Sequence, residues 1–313
     1  MIKRKRYGRT LREQLIASAK DRLHNFLLAE GQIRGAILNG TRMVNEMRFN
    51  HELGILETLV LGRAYLGAAL MSAHLKGNDR ISIKIDCSGP IKGLVVEANS
   101  FGEVCGFLNN VPIPIDKPME SFDLSPFFGA GFLAVTKYLE DAKSPFTGKV
   151  ILKYGNIAQD LAHYFLTSEQ IPTAFNLGIK FDRKGRVAGA GGLFLQALPA
   201  TEDSLAAGVE KSVLNLASLG EVFAGDNDPQ KIVKQAFGAY GPRFVGNYRI
   251  EFMCHCNKER TRSYLTLLPI EDLKDLRDNG PFPLILRCHY CNSSYSFSQS
   301  EIQKIYGQRF PNN

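Results

Sequence analysis

The strongest constraint on this chain lies near its end, where Cys254-His255-Cys256 is followed, after thirty-one intervening residues, by Cys288-His289-Tyr290-Cys291. Two close cysteine pairs spaced this way meet only if the segment between them folds back. Four thiolates then make a soft tetrahedral site, for which zinc is the ordinary occupant. A segment of about sixty residues buries too little apolar surface to hold a fold unaided, so metal binding would supply most of its stability, on the order of 10 kcal/mol. The expectation is one zinc per reduced chain, held by Cys254, Cys256, Cys288 and Cys291. Lys258, Arg260, Arg262 and Arg287 lie close in sequence, where they offset the negative charge of a tetrathiolate. His255 and His289 sit inside the pairs, but four sulfurs already complete the tetrahedron, so both read as loop residues.

From spacing alone, a closed structural zinc module is the simpler reading. The Cys-x-Cys pair leans the other way, because a disulfide between positions i and i+2 closes a small, strained ring that is easily reduced. Both pairs can therefore oxidise internally and reversibly, each oxidation removing two ligands. The remaining two of the six cysteines stand apart. Cys87 ends an alternating strand and Cys105 has apolar neighbours, so both read as inert core thiols.

Residues 1–200 read as an α+β core domain, with strands and helices in runs rather than strict alternation. Ile81 to Cys87 is the clearest strand, its odd positions all apolar. Further strands are expected at Gly93 to Ala98, Val104 to Leu108, Phe132 to Thr136, Val150 to Lys153 and Gly192 to Leu198. Helices are expected at Leu11 to Leu28, Leu53 to Leu75 and Ile157 to Ser168. The second of these is long enough to span a bilayer, yet it carries Glu57, Arg63 and His74 and reads as a buried helix. Gly189-Ala190-Gly191-Gly192 leads into an apolar run, which fits close backbone packing better than nucleotide binding.

Residues 201–250 read as a helical linker. Leu205, Val209, Val213 and Leu216 recur at helical spacing, and Asp228-Pro229 offers an N-cap and first-turn proline for a second helix. Neither helix is long enough to stand without a neighbour. Residues 251–313 form the zinc-binding segment, with a helix at Pro269 to Asn279 and a last one opened by Ser298 and Glu301 in capping-box spacing.

The chain carries a formal charge of +7, much of it crowded into Lys3, Arg4, Lys5, Arg6 and Arg9. No continuous apolar stretch follows, so no export signal is expected, and the chain reads as soluble and cytoplasmic. No phosphate-binding loop or catalytic constellation stands out, and no enzyme is expected.

The cysteine pattern, inside Phe252-Met253-Cys254-His255-Cys256-Asn257-Lys258-Glu259-Arg260, resembles the heat-shock protein 33 family of redox-regulated holdase chaperones. Gly31-Gln32-Ile33-Arg34-Gly35, Leu75-Lys76-Gly77, Ser88-Gly89-Pro90, Leu133-Ala134-Val135-Thr136-Lys137 and Ser168-Glu169-Gln170-Ile171-Pro172-Thr173 extend the resemblance. So does Ala190-Gly191-Gly192 through Gln196 to Leu198-Pro199-Ala200, and the whole match runs from about residue 20 to 305. The resemblance implies a zinc-bound, reduced, inactive monomer. Oxidation would pair Cys254 with Cys256 and Cys288 with Cys291, release zinc, unfold the linker at Thr201 to Tyr248 and favour a homodimer. That form would hold unfolding client proteins and pass them to ATP-dependent refolding chaperones. Asn292 stands where the family commonly has glycine, a change asparagine tolerates because it accepts a left-handed conformation.

Two other classes compete. A zinc-containing nucleic-acid-binding protein would grip phosphates with the zinc segment and basic tail, but that segment also carries Glu271, Asp272, Asp275 and Asp278. A thiol oxidoreductase would need an exposed, low-pKa cysteine that stays reactive without zinc.

Overall fold

A helix that is apolar on every side is stable only when protein surrounds it. Ile55–Met71 is such a helix, buried at every position but Ile55 and Arg63. The computed structural model describes residues 21–115, 123–199, 201–225 and 227–309. The order is β1 (Arg22–Leu28), β2 (Ile33–Asn39), α1 (Thr41–His51), α2 (Ile55–Met71), β3 (Arg80–Cys87), β4 (Gly93–Asn99), β5 (Glu103–Leu108) and a short α3 (Ser125–Phe128). Next come β6 (Gly131–Tyr138), β7 (Phe146–Ile151), α4 (Ile157–Tyr164), β8 (Thr173–Phe181) and β9 (Val187–Ala197). The linker follows as α5 (Asp203–Leu214), α6 (Leu219–Ala224), α7 (Pro229–Phe237) and β10 (Arg243–Arg249). The chain closes with β11 (Glu251–Phe252), α8 (Lys258–Thr266), α9 (Ile270–Asn279), β12 (Leu284–Arg287), β13 (Ser294–Phe297) and α10 (Gln299–Arg309).

Helix α2 lies between two sheets. One has the order β10-β1-β2-β9-β8, every neighbouring pair antiparallel. The other has the order β11-β5-β4-β3-β6-β7, antiparallel except for the parallel pairing of β11 with β5. Among the described residues α2 is the helix long and apolar enough to cross a membrane, and its burial between the sheets accounts for that composition. The fold is α+β, as the sequence implies.

The expected helix at Leu11 to Leu28 is corrected. Its first part, like the basic tail, lies outside the described residues, and Arg22–Leu28 is strand β1. The reason is that the five-stranded sheet is buried on both faces. Leu23 packs toward α2, whereas Phe26 and Leu28 face the opposite layer, so the apolar residues fall at spacings that mimic a helix. Strands β2 and β9 share this property, with Leu38 and Phe194 on the α2 side and Ile37 and Leu193 on the other.

That opposite layer is the linker. Val209 and Val213 of α5, Leu219 and Phe223 of α6, and Val233 and Phe237 of α7 are buried against the sheet. The N-cap expected at Asp228 is present, its side chain accepting from Gln230 N at 3.0 Å. Helix α6 approaches so closely that side chains are excluded. A Cβ on Gly189 would stand 2.2 Å from Gly220 O and 2.3 Å from Ala224 N, and one on Gly191 would meet the Phe223 ring at 2.1 Å. The glycine run thus serves backbone packing. The last part of the linker differs from the helical expectation: residues 243–249 are β10, paired antiparallel with β1.

Candidate metal centre

The first cysteine pair is delivered by β11. Its two residues pair in parallel with β5, Glu251 opposite Glu103 and Phe252 opposite Val104, and Met253 N extends the ladder to Val104 O at 3.0 Å. Cys254 and Cys256 follow at once, and the Asn257 side chain closes the turn by capping α8 through Arg260 N at 2.8 Å. The second pair sits in the turn joining β12 to β13. Asn292 N donates to Cys288 O at 2.7 Å and Cys288 N to Ser293 O at 2.9 Å. Asn292 adopts φ 56°, the left-handed conformation the turn demands.

The four sulfurs of Cys254, Cys256, Cys288 and Cys291 lie within 4.8 Å of one another. Cys254 Sγ is 3.8 Å from Cys288 Sγ, and Cys256 Sγ is 3.2 Å from Cys291 Sγ. Tyr295 Oη stands 3.0 Å from Cys256 Sγ and Ser293 Oγ 3.3 Å from Cys291 Sγ. Cys291 is buried and the other three are half-buried. Hydrogen bonding from Cys254 and Cys288 holds the Cys291 thiol well below its ordinary pKa, while Cys254 and Cys288 are pushed up. For Cys254 the leading cause is hydrogen bonding to Cys105, and for Cys288 it is hydrogen bonding to Cys254. Sulfurs this close cannot all carry charge unless a cation joins them. A soft cation in tetrahedral coordination is what this donor set suits.

Around the sulfurs, the segment has a small core of its own. Leu265 of α8, Leu273 of α9, Phe297 of β13, and Ile302 and Ile305 of α10 are buried together. Helix α10 opens with the expected capping box, Ser298 N donating to Glu301 Oε2 at 2.8 Å and Glu301 N to Ser298 Oγ at 3.4 Å. Cys256 and Cys288 touch both this core and the main one.

A family model described as Hsp33 protein matches residues 21–298. The chain belongs to the Hsp33 family. It is 33% identical over 279 residues to the 33 kDa chaperonin of Lachnoclostridium phytofermentans, covering 88% of this chain and 95% of that one. The 33 kDa chaperonin of Thermotoga maritima is 35% identical over 277 residues, 88% of this chain and 93% of the relative. The crystal structure of the Thermotoga maritima 33 kDa chaperonin, a heat shock protein 33 homolog, superposes with a TM-score of 0.84 at 32% identity. That match covers 94% of this chain and 100% of the other. Hsp33 is thus a chaperone family by the names of its members.

In this Hsp33 chain the residues that dock the metal segment on the core were not evident from sequence. On β5, Glu103 Oε2 is 2.7 Å from His255 Nε2, and the Phe107 ring lies 5.4 Å from that of His289 and 5.3 Å from that of Tyr290. The Tyr290 hydroxyl donates to Glu97 at 2.9 Å, Gly106 N donates to Tyr290 O at 3.3 Å, and Asn292 Nδ2 donates to Asn50 O at 3.0 Å. Glu103 and Phe107 are same-side residues of one strand, on the face turned from the α2 core. That alternation is the available signal, though it does not say what covers the face.

Of the four basic residues named beside the ligands, Arg260 and Arg287 line the cleft at the sulfurs. Lys258 and Arg262 instead reach α10, at Glu301 and Gln308. Cys87 is remote and half-buried, its thiol pushed up by burial. Cys105 packs on the main core, as expected, but is only half-buried and lines the same cleft as Cys254.

Proposed function

We propose that this chain is a redox-controlled holdase, with residues 1–200 as the client-binding core, 201–250 as a metastable cover and 251–313 as a zinc switch. The observation that carries the reading is the pairing of two features. Four sulfurs cluster within the C-terminal segment, and that segment follows a linker whose apolar side chains cover a sheet face.

Cys254, Cys256, Cys288 and Cys291 are the residues that would hold one zinc in the reduced state. Bound zinc supplies a cross-link between the two turns and lets four thiolates coexist. On oxidation by a peroxide, Cys254 with Cys256, and Cys288 with Cys291, each surrender two electrons and two protons to one peroxide, giving a disulfide and two waters. The ligand set is then gone. The buried residues of the small core are too few to hold the segment folded. Its contacts on β5 lapse, and α5 to α7, none longer than twelve residues, lose the neighbour that restrains them. The sheet face bearing Phe26, Ile37, Leu193 and Leu195 becomes available to unfolding proteins. A homodimer forms on the same exposed surface, and bound clients pass to ATP-dependent refolding chaperones.

The test compares reduced, zinc-loaded protein with peroxide-treated protein as suppressors of the aggregation of a heat-unfolded protein, with zinc release followed in parallel. Suppression should rise with zinc release. Equal suppression by both forms, or none by the fully oxidised one, overturns the reading.

A further inference from the structure

Strand β5 presents Glu103, Cys105 and Phe107 in succession on the side that meets the metal segment. The first pairs with His255 and the third packs on His289 and Tyr290. Cys105 stands between them. In the β4–β5 register it lies opposite Glu97, whose carboxylate accepts the Tyr290 hydroxyl. The parallel pairing of β11 carries the chain past Val104, so that Met253 comes opposite Cys105 and Cys254 is the next residue, its thiol near enough to interact with that of Cys105. One cleft exposes Cys105 together with Cys254, Cys256 and Cys288. A fifth thiol therefore stands outside the four-sulfur cluster but against one of its members.

We propose that Cys105 is an alternative disulfide partner of Cys254, so that limited oxidation forms a Cys105–Cys254 bond that staples the metal segment to β5. The proposal rests on the redox reading above. Cys254 as thiolate attacks one oxygen of a peroxide, becoming a sulfenic acid as hydroxide leaves and takes up a proton. Cys105 as thiolate then attacks the Cys254 sulfur, the S–S bond forms, and a second hydroxide leaves and is protonated. Two thiols and one peroxide give one disulfide and two waters. Cys254 lies one residue past the position opposite Cys105, and it lines the same cleft. The competing Cys254–Cys256 ring is small and strained.

The staple has a definite consequence. It removes Cys254 from the ligand set yet ties the segment to the core, so the chain is oxidised while its cover remains in place. Opening follows when the Cys256 thiolate attacks the Cys254 sulfur and Cys105 departs as thiolate, which conserves the disulfide and moves it to the neighbouring pair. Cys105 thereby sets a threshold between brief and sustained oxidant exposure.

The experiment uses the full chain, reduced and zinc-loaded, exposed to increasing hydrogen peroxide, quenched in acid, alkylated, and digested with trypsin without reductant for mass spectrometry. At low peroxide a reductant-sensitive species should join the Cys105 peptide to the peptide Ile250–Lys258. It should be absent from Cys105→Ser and more abundant in Cys256→Ser, where the exchange step is blocked and rapid rearrangement cannot hide the bond. Cys105→Ser should also reach half-maximal suppression of aggregation at a peroxide dose several-fold lower. If Cys105 stays fully alkylatable in both wild type and Cys256→Ser while zinc is released, the proposal is overturned and the redox reading stands. If zinc is retained or aggregation is never suppressed, the redox reading fails, whatever the cross-link does.

Discussion

A methyl group placed at Gly189 should open the linker without touching a cysteine. In the structure that Cβ would lie 2.2 Å from Gly220 O and 2.3 Å from Ala224 N. Both are backbone atoms of α6, so no side-chain rotation relieves the clash. Overpacking that side-chain shifts can absorb costs about 1–3 kcal/mol, but here two backbone atoms are struck and nothing absorbs the clash, so α6 must lift from β8 and β9. Lifting exposes Leu219 and Phe223, both nearly fully buried, at about 1.5–3 kcal/mol each. A helix of six residues has no stability of its own to set against this. The strand tolerates the change, because alanine is acceptable in extended backbone and Gly189 has no left-handed torsion. Gly189→Ala, reduced and zinc-loaded, should therefore lose hydrogen-exchange protection over residues 219–224 and suppress aggregation without oxidant. Protection of β3 and the zinc content should be unchanged. If α6 opens and the reduced protein stays inactive, the client surface does not lie beneath α6.

Other outcomes follow from the same geometry. Cys288→Ser should lose bound zinc while a Cys87→Ser change should not, as metal analysis of the reduced proteins will read. Tyr290→Phe removes the 2.9 Å hydrogen bond to Glu97 at a cost of about 1 kcal/mol, so limited proteolysis of the metal segment should quicken with zinc still bound. Oxidation should strip exchange protection from α5, α6 and α7 while Ile81, Ile83 and Ile85 of β3 keep theirs. His74 is pushed down to about 4, first by burial and then by Arg34 and Lys137. Its folded pKa thus lies below the ordinary 6.5, and the unfolded chain binds the extra proton between these values. The contribution is full above pH 6.5 and is lost as pH falls toward 4, on the order of 3 kcal/mol in all. His74→Phe should flatten that limb of a urea-denaturation series, and an unchanged slope refutes the assignment.

The two sheets differ in how plainly the sequence announces them. Strands β3 to β7 have one face turned to α2 and one outward, so Ile81, Ile83 and Ile85 alternate with exposed Arg80 and Lys84, and period two is visible. Strands β1, β2 and β9 lie under helices on both faces, and no alternation survives to mark them. Likewise the four clustered cysteines stand out because cysteine spacing is a local property. The contacts of Glu103, Phe107 and Asn50 with the metal segment join residues far apart in the chain. They depend on the parallel β11–β5 register, which two residues of strand cannot advertise. The surroundings of Cys105 are hidden for the same reason: its chain neighbours are apolar, while Cys254, which lines the same cleft, lies roughly half the chain away.

On the proposed redox reading, four sulfurs govern an apolar surface that contains no cysteine, and the chain between them supplies the route. Only Ile250, β11 and Met253 separate the end of β10 from Cys254, and Ile250 N is bonded to Asp21 O at 3.0 Å. Strand β10 is the outermost of its sheet and largely exposed. It is held by its ladder to β1, the Phe244 ring 5.8 Å from Phe26, and Tyr248 Oη at 3.2 Å from Ser72 Oγ. An exposed edge held this way is of low local stability. A metal segment that leaves β5 frees β11, loosens β10 from its Arg249 end and strips one neighbour from Phe26. Phe237 of α7 packs on that same ring, their centroids 6.5 Å apart, so loss of order passes from strand to helix through one shared side chain. Strands β2 and β9, central in the sheet with α2 beneath them, have no such exposed end. The coupling therefore needs no second conformation of the core, only a cover whose last strand is the leash of the metal site.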